Sequence, residues 1–210
     1  MLTTLTIVDE FLDNAEALRD HALRLTYLDQ EGPFAGRNSL ERINLDGLNE
    51  AVSALVGEPL IPVSPLQSHG KCRLALARDK ARAKVHVDES HWSGILYLSR
   101  DEDSVGGTDF FRHVRTGSDR APVLEEEIAG QGYSSYEHMH RDIIEKDSVD
   151  DSKWQLTTHV PMRFNRLVLL RPWLWHAGGP GFGDRPENGR LVYLMFFQSA
   201  RRSAFQITGS

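Results

Sequence analysis

The first residues alternate: TLTIVDEFL, from Thr4 to Leu12, interleaves apolar and polar side chains as a half-buried strand does. DNAEALRDHALRL then changes to a spacing of three and four. This predicts a helix, with Asp13 and Glu16 as a capping box. Residues Tyr27 to Asn38 carry Gly, Pro and Asn without periodicity and read as a loop, and LDGLNEAVSALVG reads as a second helix, capped by Asp46 and stopped near Gly57. From Leu60 onward the period shortens. LIPVSPL, CRLALAR, KVHVD, SGILYLS, GTDFFRH, FNRLVLLR, WLWHA and RLVYLMFF are short β-prone runs separated by Gly, Pro and Asp.

This pattern predicts a mainly β, mostly antiparallel protein with flanking α-helices, either a barrel or a jelly-roll sandwich covered by helices on one side. No linker or repeat divides it, so residues 1–210 are expected to form one domain. Its helical N-terminal part covers about 1–58, and its β core about 60–200. One segment breaks the β pattern: Ala121 to Lys153 is charged, has helical spacing in places, and reads as an insertion packed outside the core.

Composition narrows the function classes. Twenty-four Lys and Arg stand against 30 Asp and Glu, a net charge of −6, so no broad basic field is present to engage nucleic acid or an anionic membrane. The longest apolar runs, such as LVYLMFF, are too short to span a bilayer. A single cysteine, Cys72, and an N-terminus without basic or apolar leader features make the cytoplasm the expected location. Cys72 has no feature of a nucleophile, and no serine sits in a nucleophile elbow.

The candidate chemistry begins at KVHVDESHW. Alternate side chains of a strand share a face, so His86 and Asp88 lie roughly 6 to 7 Å apart along the chain, on one side. His140 and Asp142 have the same spacing, but in the polar, helix-like insertion, where positions two apart diverge around the axis and face solvent. The first pair has company downstream, because His176 ends a β-prone run just ahead of the glycine-rich turn GGPGFGD. Two histidines and a carboxylate on neighbouring strands make a facial triad, which suits a non-haem Fe(II) with open positions; the same donors also suit zinc. Arg190 opens the apolar strand RLVYLMFF and is either a strand-end charge reaching water or a fork for a carboxylate in the pocket.

The order HVDESHWSGILYLS, GGTDFF, NRLVLLRPWLWHAGGP and GRLVYLMFF resembles the Fe(II)/2-oxoglutarate-dependent dioxygenases, in their prolyl-4-hydroxylase-like branch. The resemblance runs from Lys84 to Phe197 without the insertion. It implies a double-stranded β-helix, the jelly-roll or cupin-like core. It also implies His86, Asp88 and His176 as iron ligands, Arg190 as the partner of the distal carboxylate of 2-oxoglutarate, and Tyr97 as its assistant. The gap from His176 to Arg190 leaves Arg185 as a rival. The implied reaction consumes 2-oxoglutarate and O2 and releases succinate and CO2, with ascorbate as an expected stimulant. Retention of Asp88 favours hydroxylation over halogenation, with desaturation, epimerisation and ring formation open.

The expected substrate is an amino acid, free, within a peptide, or bound to a carrier, by analogy of fold. Its walls are sought in Tyr27 to Arg37, Ser68 to Arg82 and the insertion, since connections around a rigid β scaffold carry specificity. A homodimer is compatible with the sequence. The alternative is a cupin-like metal-binding protein or pseudoenzyme with a closed, inert site. GGPGFGD lacks the Lys-Ser/Thr of a phosphate loop and reads as a turn passing close to the metal. His91, His138, His140 and the four tryptophans are read as surface or core.

Overall fold

A computed structural model describes residues 3–29 and 32–200. Two antiparallel sheets face each other. The larger contains β1 (Leu5–Val8), β2 (Arg37–Asn38), β3 (Leu60–Pro62), β4 (Cys72–Ala75), β5 (Trp92–Tyr97), β8 (Leu167–Leu170) and β10 (Arg190–Ser199), in the order β1-β8-β5-β10-β4-β2, with β3 pairing the far end of β10. The smaller runs β7-β6-β9, from β6 (Gly107–His113), β7 (Trp154–Pro161) and β9 (His176–Gly178). Every pairing within both sheets is antiparallel.

Strand alternation sorts the side chains into three packed layers. Along β10, Leu191, Tyr193, Met195 and Phe197 point outward, with Trp92 and Leu96 of β5 and Leu167 and Leu169 of β8. They pack against α1 (Ala15–Ala22) and α2 (Leu48–Val56), whose buried Leu18, Ala22, Val52 and Val56 recur at helical spacing. The opposite positions, Tyr97, Val168, Leu170 and Val192, face Phe110 and Val160 of the smaller sheet and form the middle layer. The third layer lies outside the smaller sheet, where Phe111, Trp154, Trp175 and Ala177 meet the insertion. Burying each large aliphatic side chain in such a layer stabilises the fold by about 1.5–3 kcal/mol.

The insertion is helical where its spacing predicted. It contains α3 (Glu125–Gly130), α4 (Tyr136–His140) and a π-helical turn, Arg141–Glu145. Ile128, Met139, Ile143 and Ile144 supply its apolar face.

Several local expectations are corrected. Asp13 does not cap α1: Asn14 occupies the cap position, makes no side-chain bond, and lets its carbonyl accept from Ala17. Asp46 does not cap α2, which starts from Gly47 in a left-handed conformation, although Gly57 ends it with φ 71° as expected. Arg37 and Asn38, read as loop, form β2. The strand β7 escaped the reading because only its ends are buried, so WQLTTHVP shows no apolar alternation. KVHVD is not a regular strand. It makes an isolated bridge in which His86 and His176 exchange both backbone hydrogen bonds, at 2.9 and 3.1 Å. Its flanking N–H groups go elsewhere, Val85 to the Ser148 carbonyl and Asp88 to the Pro172 carbonyl.

Candidate metal centre

The bridge keeps the parity of a strand without its ladder. Val85 and Val87 turn to the insertion core, and His86 and Asp88 turn inward beside His176, which opens β9. One ligand atom from each of the three lies within 4.8 Å of the others. His86 Nε2 is 3.6 Å from Asp88 Oδ1, and His176 Nε2 is 3.4 Å from Asp88 Oδ2. Donors bound at right angles about 2.1 Å from a metal stand about 3 Å apart, so a small contraction would seat an ion.

Backbone carbonyls set the tautomers. His86 Nδ1–H donates to the Lys84 carbonyl at 2.9 Å and His176 Nδ1–H donates to the Leu174 carbonyl at 2.8 Å. A carbonyl only accepts, so each neutral ring keeps its Nε2 lone pair for the centre. Ser93 Oγ donates to Asp88 Oδ2 at 2.6 Å and fixes the carboxylate. Burial and the neighbouring His176 push the His86 pKa down to about 4. Asp88 falls well below the usual carboxylate range, because burial is outweighed by the two imidazoles and the Ser93 bond. His176 rises, as burial is outweighed by Asp88. The surroundings thus favour the protonated form of His176 and the neutral form of His86.

Arg190 projects from the inner face of β10 toward β9, where it approaches Gly178, two residues after His176. It is 5% exposed, and its Nε has no hydrogen-bond partner. Burial lowers its pKa, and Tyr97 partly restores it. Val192, two residues on, pairs with Tyr97 of β5, whose hydroxyl shares a 2.6 Å hydrogen bond with Thr108 Oγ1 of β6 across the sandwich. Gly178 makes room for the guanidinium: a Cβ there would stand 3.3 Å from Arg190 Nη2. The glycine-rich turn therefore serves the arginine and the β6 backbone more than the metal. Arg185 is 66% exposed in its side chain and stands near Asp184 and Glu187.

His91 and His140, read as outside the site, lie outside it. His140 stands by Glu145, and Asp142 is held by Arg115, Lys146 and Tyr133. His91 bonds Glu58 beside Trp92 and Arg171, and buried Cys72 has its pKa pushed up to about 12 by burial. Ser93 and Thr108 were missed, and Phe34 and Arg73 were sought only as members of the wall segments Tyr27 to Arg37 and Ser68 to Arg82. Strand parity placed Ser93 and Thr108 inward, but nothing local announced the Phe34 ring, 4.3 Å from His86, or the Arg73 that holds its segment.

With the two sheets in view, the class of fold is clear: it is a double-stranded β-helix, shared with solved proteins that bind 2-oxoglutarate. HygX from Streptomyces hygroscopicus, solved with nickel and 2-oxoglutarate bound, superposes with a TM-score of 0.56 at 15% identity, over 94% of this chain and 84% of HygX. SnoK, a non-heme alpha ketoglutarate dependent carbocyclase from nogalamycin biosynthesis, gives 0.52 at 13% identity, over 94% of this chain and 80% of SnoK. No curated protein matches the sequence. The chain belongs to the family of unknown function DUF6445, whose model matches residues 2–197. No helix among the described residues is long and apolar enough to cross a membrane.

Proposed function

We propose that this chain is an Fe(II)- and 2-oxoglutarate-dependent oxygenase that hydroxylates an unactivated C–H of an amino-acid-like, peptidyl or carrier-bound substrate. His86, Asp88 and His176 would hold the metal, and Arg190, assisted by Tyr97, the distal carboxylate of 2-oxoglutarate. The observation that carries the reading is the pairing of a two-histidine, one-carboxylate cluster with a buried guanidinium that approaches β9 two residues from His176 and whose Nε lacks a partner. An inert metal site has no use for that cation. HygX, of the same fold, is seen with nickel, 2-oxoglutarate and hygromycin B, which supports a small-molecule substrate.

With iron and 2-oxoglutarate bound, O2 would be the oxidant, one of its atoms ending in succinate as CO2 leaves and the other in the hydroxylated substrate. The chain supplies geometry. The carbonyls of Lys84 and Leu174 fix both imidazoles, Ser93 fixes Asp88, and three protein donors leave the rest of the coordination sphere for substrates. Arg190 offers a planar fork to a carboxylate, and the middle apolar layer around Tyr97, Phe110 and Val192 keeps water from the reacting end.

The test is twofold. Anaerobic Fe(II) with 2-oxoglutarate is expected to give a visible charge-transfer band, and Fe(II), ascorbate and O2 are expected to release succinate, stimulated by the right member of an amino-acid and peptide panel. A chain that binds Fe(II) tightly but never binds or turns over 2-oxoglutarate is instead a metal-binding protein without oxygenase activity.

A further inference from the structure

The two sheets leave an edge open beside the metal centre. β4 and β2 border the larger sheet there, residues 84–88 border the smaller, and among the described residues no strand joins them. Residues 32–38 cross this edge. Phe34 lays its ring over His86, with centroids 4.3 Å apart and planes at 46°. Two ties hold the crossing. The Pro33 carbonyl accepts from the Arg82 and Ala83 N–H groups, both at 2.8 Å, joining it to the chain that leads into His86.

The second tie is Arg73, on the inner face of β4. Its Nε donates to the Ala35 carbonyl at 2.9 Å, Nη2 to the Phe34 carbonyl at 2.7 Å, and Nη1 to Asn38 Oδ1 at 2.8 Å. Gly36 makes the close approach possible, with φ +85° and a Cβ position that would fall 2.4 Å from the Leu74 carbonyl oxygen. Burial and the nearby Arg190 push the Arg73 pKa down to about 10. Neutral oxygens, with no carboxylate in hydrogen-bond contact among the described residues, hold this cation; a loop anchored only for stability has cheaper fastenings. What the arginine secures is the position of one aromatic ring over one histidine.

We propose that Phe34 is the wall of the site that a substrate meets beside His86, and that Arg73 is the positioning residue that holds it there. The word substrate rests on the oxygenase reading above. Beyond the ring lies a pocket of about 460 Å³, bordered by Phe34, Gly36, Arg37, Arg78 and Lys80. The same ring lines this pocket and meets His86, which does not line it, so on this proposal the size of side chain 34 sets what can pass between the two. A smaller side chain joins the two spaces and widens the range of molecules admitted.

Full-length Phe34→Ala, Phe34→Leu, Arg73→Ala and Arg73→Lys chains test this, with Ni(II) as the probe and thermal melting to confirm folding. Removal of Ni(II) by a chelator is expected to be about tenfold faster in Phe34→Ala and Arg73→Ala, and near the unmodified rate in Phe34→Leu. Trypsin is expected to cut after Arg37 about tenfold faster in Arg73→Ala but not in Phe34→Ala, whose backbone remains gripped; Arg73→Lys restores part of the protection. With the member of the amino-acid and peptide panel that stimulates succinate release, Phe34→Ala raises KM more than it lowers kcat; an unchanged KM in the folded variant overturns the wall. Ni(II) release and Arg37 cleavage unchanged in the folded variants overturn this proposal alone. Failure of the unmodified chain to take up Ni(II) overturns the oxygenase reading and the Phe34 role with it, while the trypsin result still judges Arg73.

Discussion

Two stretches of this chain carry a histidine and an aspartate two residues apart, and they end in opposite states. His86 and Asp88 lie in extended backbone pinned to β9, so both side chains turn inward to the same point as His176. His140 and Asp142 straddle the end of α4 and a π-helical turn, so their side chains diverge. The partners differ as much as the backbone. Asp142 is claimed by Lys146 and Arg115, each at 2.7 Å, and by the Tyr133 hydroxyl at 3.0 Å, which leaves little negative charge for an ion. Asp88 has one hydroxyl and two imidazoles that a metal can neutralise in their place. Both carboxyls are held below the ordinary range, one by permanent cations and one by neighbours that can give up their protons. A depressed acid thus marks a metal site only when its partners are themselves ligands.

The strongest attempt to break this contrast is His176→Ala, which should weaken Ni(II) or Fe(II) affinity by at least about a hundredfold in calorimetric titration, while His140→Ala leaves it unchanged. Equal effects of the two substitutions would show that the assigned triad is wrong. Arg190→Gln should weaken 2-oxoglutarate binding by roughly tenfold or more while metal affinity holds, read from the charge-transfer band under anaerobic titration; Arg185→Gln should change neither. Ser93→Ala should lower metal affinity by about tenfold without loss of fold, since it frees the carboxylate to turn.

Protons give a finer test. In the metal-free chain the raised pKa of His176 stabilises the fold below the unfolded value of 6.5, and that contribution is lost as pH rises through the folded value. His86 works the other way: its depressed pKa gives a contribution present above 6.5 and lost as pH falls toward about 4. Metal uptake between about pH 5 and 6 should therefore release close to one proton, from His176, and fewer as pH rises, measurable by calorimetry in buffers of different ionisation enthalpy. Two protons would mean that His86 is also charged. The smallest effect is Asp142→Asn, expected to cost about 1 kcal/mol or less in urea unfolding, with metal affinity untouched.

Much of this was legible in the chain. The period-two runs located eight of the strand-forming segments, the insertion showed its helical spacing, and the order of His86, Asp88, His176 and Arg190 carried the family resemblance. The capping residues of both N-terminal helices were misread because a side chain able to cap does so only when the preceding backbone presents it, and Gly47 took that place by adopting a left-handed conformation. The strand β7 stayed hidden because an edge strand exposed along most of its length has no hydrophobic phase to read.

What the sequence determined alone was parity: Val85 and Val87 against His86 and Asp88, or Leu191 and Tyr193 against Arg190 and Val192, assign each residue to a face whatever it later meets. The choice of neighbour needed the folded chain. Pairing His86 with His176, seating Thr108 on Tyr97, and laying Phe34 across His86 by way of Arg73 bring together residues far apart along the chain. Such contacts are set by how two sheets close on one another, and local periodicity carries no record of that closure.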